Sequence, residues 1–184
     1  MIELAFDAVW INGSVGTGKT TTAEKLGDEL NARGVPGAVI DVDQLRNAWP
    51  TPADDRFNER LALENLTAVV ANFRRSGAHV VVAAGVIEDP AAVAVHARAL
   101  AANRLLLVRL TSDPGIATAR LHARHMGDRD GLDWHLERHP QLATILDAAG
   151  FADEMLIDTS HVSAAQVASR IADLVDGRVP IRHA

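Results

Sequence analysis

The sequence predicts an α/β domain built on a parallel sheet, and three observations predict it. Apolar strand-like runs alternate with amphipathic helical stretches from one end of the chain to the other. The run Val80-Val81-Val82-Ala83-Ala84 is apolar without interruption, as a central strand covered on both faces must be. Gly13-Ser14-Val15-Gly16-Thr17-Gly18-Lys19-Thr20 fits the pattern G-x-x-x-x-G-K-[ST], and it falls between an apolar strand and a helix.

The elements follow in order. The first strand is expected over 7–12. The helix after it covers 19–32, with Ala23, Leu26 and Leu30 on one face and Gly34 and Pro36 closing it. Residues 38–43 form a second strand whose end carries Asp41 and Asp43, and Trp49-Pro50-Thr51-Pro52 breaks the chain into a loop. A long helix from Phe57 to Arg75 buries Leu61, Leu66, Val69, Val70 and Phe73, and Gly77 stops it. The third strand spans 79–84. Asp89-Pro90 pairs an N-cap with proline at the first helical position and opens a helix to Ala102. The fourth strand spans 104–110, and Asp113-Pro114 repeats the start signal for a helix through His125. Residues 126–132 are polar and contain glycine, which predicts a mobile loop; a helix over 133–148 then ends at Gly150. The fifth strand is 155–158. Ser163 with Gln166 gives a capping box for a last helix over 164–176. No repeat and no linker divides the chain, so 1–178 reads as one domain, with 179–184 as a frayed tail.

Composition narrows the function. With 48% hydrophobic and 23% charged residues the chain is of soluble globular type, and its net charge of −6 argues against nucleic acid as a partner. The absence of cysteine excludes disulfides and thiolate zinc sites. No apolar run approaches membrane-spanning length, and the first residues read as a strand, not a signal peptide. The expectation is a cytoplasmic protein, monomer or homodimer, with no membrane partner.

The glycine-rich stretch is the strongest chemical signal. Its glycines let successive N–H groups point into one concavity, and the helix N-terminus adds partial positive charge. Gly13, Ser14, Val15, Gly16, Thr17, Gly18, Lys19, Thr20 and Thr21 are therefore the expected binding residues for a nucleoside triphosphate. Lys19 would reach the β- and γ-phosphates, and the Thr20 hydroxyl would face Mg2+. Lys19 and Lys25 are the two lysines among 18 basic residues, so a compact ammonium is kept at position 19 in a chain that otherwise uses arginine.

A second acidic element separates reaction types. P-loop switches and motors place a carboxylate at the tip of an apolar strand, yet the strand over 79–84 runs into Ala83-Ala84-Gly85. The acids are Asp41 and Asp43, two apart and hence on one face of the second strand. One carboxylate can reach the metal's hydration shell. The other can accept a hydrogen bond from a substrate hydroxyl and take its proton.

With the glycine-rich loop, Asp41-Val42-Asp43-Gln44-Leu45-Arg46 resembles the small P-loop kinases, and most of all the adenylylsulfate kinase-like group, in which an Asp-x-Asp-Asn-hydrophobic-Arg run follows the second strand. Arg75 to Val81 and Ile157 to Ser160 also fit segments of such kinases. The resemblance implies a three-layer P-loop kinase fold, with a five-stranded parallel sheet in order 2-3-1-4-5, helices on both faces and a small Arg-bearing lid over about 115–140. It implies transfer of the ATP γ-phosphate to a hydroxyl of a small molecule. Asp43 becomes the substrate-facing acid, Asp41 its metal-side partner with Thr20, and Arg46 an anion-binding group. Gly85 to Pro90 and Arg129-Asp130-Gly131-Leu132 depart from adenylylsulfate kinases, so the likeness is to a branch, not to one enzyme. Chloramphenicol phosphotransferases and nucleoside or nucleotide kinases share the same features. A nucleotide-binding switch is the alternative from another class, against which stands the lack of an Asn-Lys-x-Asp run.

The remaining candidates are weaker signals. Arg120 and Arg124, four apart on one helix face, suit a lid that stabilises phosphoryl charge, with Arg129 beyond them and Arg138 less favoured. Arg60, with Arg56, either binds the acceptor or pairs with Asp54, Asp55 and Glu64. His122, His125, His135 and His139 read as solvated lid histidines, since no complete metal-ligand set accompanies them. Trp49 either stacks on the acceptor or packs. Asp158, Thr159 and Ser160 follow the fifth strand, where small kinases hold adenine by backbone contacts.

Overall fold

A computed structural model describes residues 4–152 and 154–178. The expected tail over 179–184 lies outside the described residues. Five strands, β1 (Ala8–Gly13), β2 (Gly37–Asp41), β3 (Val80–Ala84), β4 (Leu105–Thr111) and β5 (Met155–Asp158), form one sheet in order β2-β3-β1-β4-β5 with every pairing parallel. Among the described residues six α-helices accompany it: α1 (Lys19–Ala32), α2 (Glu59–Arg75), α3 (Val93–Ala99), α4 (Pro114–Arg124), α5 (Arg129–Ala149) and α6 (Ala164–Val175). This is the five-stranded order expected of a P-loop kinase. No helix among the described residues is long and apolar enough to cross a membrane.

The sheet is covered on both faces, which is why β1 and β3 are buried at every position. Alternation along β1 divides the core. Val9 and Ile11 pack with Leu26 and Leu30 of α1 and Ile171 and Val175 of α6. Ala8 and Trp10 face the opposite side, with Leu66 and Val70 of α2 and Leu142 and Leu146 of α5. Arg33, just past α1, ties this helix to α6 through Asp173 and Asp176 at 2.8 Å each.

Register fixes where chemistry can occur. Asp41 of β2 lies opposite Ala84 of β3, which lies opposite Ile11 of β1. The tips of β1 and β2 therefore open on the same side of the sheet, at its carboxyl edge, where open α/β sheets bind ligands.

Several boundaries differ from the sequence reading. The second strand stops at Asp41, and Val42–Arg46 is a 3-10 turn. Asp41 ends the strand itself: its carboxylate accepts the Asp43 N–H at 3.0 Å and caps that turn. Asp43 is thus not a strand residue, and strand alternation does not set its direction. The long helix starts at Glu59, held by Asp55, whose carboxylate accepts the Glu59 N–H at 2.8 Å. In that helix Phe73 is exposed, and Leu61 and Val69 are only half-buried. The helix opened by Asp89-Pro90 ends at Ala99, after a 3-10 turn over Pro90–Ala92. The stretch 126–132 is not all loop. Asp128 caps α5 by accepting the Gly131 N–H at 3.0 Å, so helix begins at Arg129. The capping box of Ser163 and Gln166 is formed as expected.

Candidate active site

The glycine-rich loop closes on itself at the tip of β1. Gly13 has φ of 144°, and a Cβ there would lie 2.5 Å from the carbonyl oxygen of Leu110. Only glycine lets the loop leave β1 this close to β4. Thr17 Oγ1 donates to the Ser14 carbonyl at 2.9 Å, and Lys19 Nζ donates to the same oxygen at 3.0 Å. Lys19 thus curls back over the loop it belongs to. Burial pushes its pKa down to about 8, opposed by the carboxylates of Asp43 and Asp41 and reinforced by the charge of Arg124.

Thr20, in the first turn of α1, donates its hydroxyl to Asp41 Oδ2 at 2.9 Å. Asp43 lies on the 3-10 turn with its side chain largely exposed, and Arg46 Nε stands 3.4 Å from Asp43 Oδ1. These groups share one cavity of about 900 Å3. From the loop side it is lined by Val15, Gly16, Thr17, Gly18, Lys19 and Thr20, with Thr21 beyond them. Asp41, Asp43 and Arg46 form the wall below β2, and Arg120 and Arg124 of α4 form another. Gly13 and Ser14 do not line it; they form the back of the loop.

Arg120 and Arg124 part company. Arg120 donates to Thr159 Oγ1 at 3.0 Å and to the Thr159 carbonyl at 2.7 Å. Thr159 Oγ1 in turn lies 3.1 Å from the Thr17 carbonyl and 2.9 Å from that of Thr111. Thr159 is therefore a buried strut between the loop after β5 and the glycine-rich loop. Asp158, Thr159 and Ser160 do not line the cavity; Asp158 accepts the Ser160 N–H at 2.9 Å and shapes the turn. Among the described residues Arg124 is engaged in no such contact, and it lines the same cavity as Lys19.

Other candidates lie elsewhere. Arg60 is on the outer surface, in a two-bond pair with Asp54 at 3.0 and 3.1 Å, so it is not brought to the cavity. Arg56 stacks over Phe57, 5.5 Å from the ring centroid. Trp49 is 88% exposed and outside the cavity wall. Arg129 opens α5 and is likewise outside it.

The cavity wall supplied by α5 was seen only in part from the sequence, which weighed Arg138 as a less favoured arginine. Trp134, His135, Arg138 and Leu142 all line it, spaced so that one helix face looks inward. Arg138 pairs with Glu88 of the segment after β3. His139, read as solvated, is 6% exposed and bonded to the glycine-rich loop. No group of three or more metal-binding side chains occurs among the described residues. The available signal was the i, i+4, i+8 row Trp134, Arg138, Leu142. Its polar members concealed an inward stripe that an apolar search does not see.

Residues 9–138 match the family model AAA_18, described as an AAA domain. The chain belongs to this AAA-domain family. A curated relative, the adenylyl-sulfate kinase of Burkholderia ambifaria, is 37% identical over 78 residues, covering 41% of this chain. The matched segment spans 42% of that relative's length. Among solved structures, the tunicamycin resistance protein of Deinococcus radiodurans aligns over 91% of this chain and 94% of its own, with a TM-score of 0.61 and 22% identity. The APS kinase of Mycobacterium tuberculosis, in complex with AMPPNP and APS, aligns over 92% and 97% with a TM-score of 0.55 and 20% identity. At these identities the two structures share the fold of this AAA-domain protein.

The residues present fit a nucleotide and a divalent cation. The loop residues 15–18 at the N-terminus of α1, the Lys19 ammonium and the Thr20–Asp41 pair supply the donors and acceptors such groups require.

Proposed function

We propose that this AAA-domain protein is a small-molecule kinase that moves the γ-phosphate of ATP to a hydroxyl acceptor. One observation carries the reading: Lys19 and Thr20 of the glycine-rich loop and Asp41 and Asp43 beyond β2 face one cavity at one edge of the sheet. The site roles below belong to this proposal, as do a single domain over 1–178, a lid over about 115–140 and a cytoplasmic setting.

In this mechanism the loop N–H groups and Lys19 bind the phosphates, and Arg124 adds positive charge from the lid wall. Thr20 and Asp41 would hold the divalent cation, which when bound would supply positive charge against the phosphates. Asp43 accepts the hydrogen bond of the acceptor hydroxyl and takes its proton. Arg46 holds the Asp43 carboxylate in place and, through Nη1, the Phe57 carbonyl at 3.4 Å.

The acceptor end of the cavity supports an uncharged or cationic substrate with an apolar face. Its wall carries Asp43, Glu59, Glu88 and Asp89 against Arg46 and Arg138, and both guanidiniums already face carboxylates of that wall. An anionic acceptor would have to displace one of these pairs. Phe57 and Trp134, each 43% exposed, supply aromatic surface. The test is ADP production with Mg2+ across hydroxyl-bearing nucleosides, aminocyclitols and sugar acids. Acceptor-dependent ADP release is the expected result. Slow release indifferent to every acceptor, with tight nucleotide binding, would point instead to a switch.

A further inference from the structure

We infer that His139 is a positioning residue for the phosphate cradle, acting through its Nδ1–H on the carbonyl of Val15. The inference rests on the nucleotide-binding part of the function proposed above.

A loop that binds phosphate through its N–H groups must turn its carbonyl groups the other way. Each outward carbonyl that is buried then needs a donor, or its desolvation is uncompensated. The Ser14 carbonyl has Thr17 Oγ1 and Lys19 Nζ. The Val15 carbonyl has His139 Nδ1 at 2.6 Å, supplied from α5 more than a hundred residues along the chain.

The tautomer follows from the partner. A carbonyl oxygen can only accept, so Nδ1 carries the proton and Nε2 the lone pair in the neutral ring. Ser14 Oγ, 3.0 Å from the same Nδ1, is then a second acceptor for this proton. Protonation of the ring leaves the contact intact, because both nitrogens of an imidazolium donate. His139 is thus a constant donor and not a proton shuttle.

Local sequence fixes the ring in place. Pro140, the next residue in α5, has no N–H for the Leu136 carbonyl one turn before it. On the other side of the loop, a Cβ on Gly16 would meet the Ala117 carbonyl oxygen at 3.1 Å and Leu121 Cγ at 3.2 Å. The cradle is therefore gripped between α4 and α5, with one polar bond and one packed face. Arg138, next to His139, lines the acceptor end, so the same turn of α5 contacts both halves of the cavity.

The experiment compares His139→Ala, His139→Asn and His139→Gln for affinity toward a fluorescent ATP analogue, alongside thermal melts. The Asn amide nitrogen falls where Nδ1 lies, whereas the Gln amide nitrogen falls nearer Nε2. Loss of one buried donor predicts roughly tenfold weaker binding in His139→Ala and His139→Gln, with His139→Asn within about threefold of the native protein. Equal affinity in all three variants overturns the inference. So does a His139→Asn variant that melts normally yet binds as weakly as His139→Ala. Loss of folding in all three variants also overturns it, since the residue would then be structural. If the native protein itself binds no nucleotide, the proposed function fails first, and that result is distinct from the others.

Discussion

Thr20 Oγ1 donates to Asp41 Oδ2 over 2.9 Å, joining the first turn of α1 to the end of β2 across the width of β3. With the hydroxyl proton directed at the carboxylate, the Thr20 Oγ1 lone pairs are left to face a cation. Such outer partners orient a ligand and raise its basicity. Asp41→Asn keeps the shape and removes the charge. We expect the Mg2+ concentration for half-maximal turnover to rise by about ten- to a hundredfold, with ATP analogue binding in the absence of metal little changed. A Mg2+ titration of ADP production reads both variants, Asp41→Asn and Thr20→Val.

The pH behaviour of nucleotide binding follows from Lys19. Its pKa stands at about 8 in the folded protein against an ordinary 10.5, chiefly through burial. Between those two pH values the unfolded chain binds more protons than the native one, so without nucleotide this residue's contribution to stability rises from about pH 8 to 10.5. Below pH 8 the full cost of burying the ammonium is present. Phosphate binding requires the charged form, so affinity should fall as pH rises through 8, and binding above pH 8 should take up a proton. Calorimetry in two buffers of different ionisation enthalpy measures that uptake, and Lys19→Met should abolish it.

Asp43→Asn tests the acid proposed to face the acceptor. The carboxylate is held by Arg46 at 3.4 Å and contributes nothing to the glycine-rich loop's own hydrogen bonds. Turnover should drop by about a hundredfold or more, the range of a lost general base, while nucleotide affinity stays near native. Single-turnover rates and analogue titration separate the two effects.

The sheet and the loop were legible from sequence because each is specified locally. Apolar runs, caps and glycines act within a few residues, and β1, β3, β4, β5 and α6 came out within one or two positions. The end of β2 was not legible, because Asp41 can either extend a strand or cap a turn, and only the Asp43 N–H that it captures decides. The roles of Arg120 and His139 were hidden for a different reason. Their partners, Thr159 and Val15, lie 39 and 124 residues away, and composition says nothing about such pairings. Arg60 shows the reverse: its neighbours Asp54 and Asp55 were in plain view, and the local pairing prevailed.

Arg120 and Arg124 should separate on mutation. Arg120 is spent on Thr159, which in turn supports Thr17, so Arg120→Ala should loosen the cradle and weaken nucleotide binding. Arg124 makes no such bond and lies in the wall near Lys19, so Arg124→Ala should lower kcat with binding largely kept. A second effect marks the assignment: with the neighbouring cation gone, the Lys19 pKa rises, and the alkaline limit of nucleotide binding moves to higher pH.

The glycines of the loop offer a test of fold apart from activity. Gly13 and Gly18 both have positive φ, 144° and 92°, yet their surroundings differ. A methyl at Gly13 would press on the Leu110 carbonyl at 2.5 Å and on Thr17 Oγ1 at 2.8 Å, whereas Gly18 has nothing within 4 Å. Backbone strain of about 1 kcal/mol or more applies to both, and only Gly13 adds a clash with the backbone of β4. Gly13→Ala should therefore lose about 3 kcal/mol and Gly18→Ala about 1 kcal/mol in urea unfolding without nucleotide, with unchanged denaturant slopes. Equal losses would mean that β4 yields to the added methyl, and the close approach of loop to sheet would then not be what requires glycine at position 13.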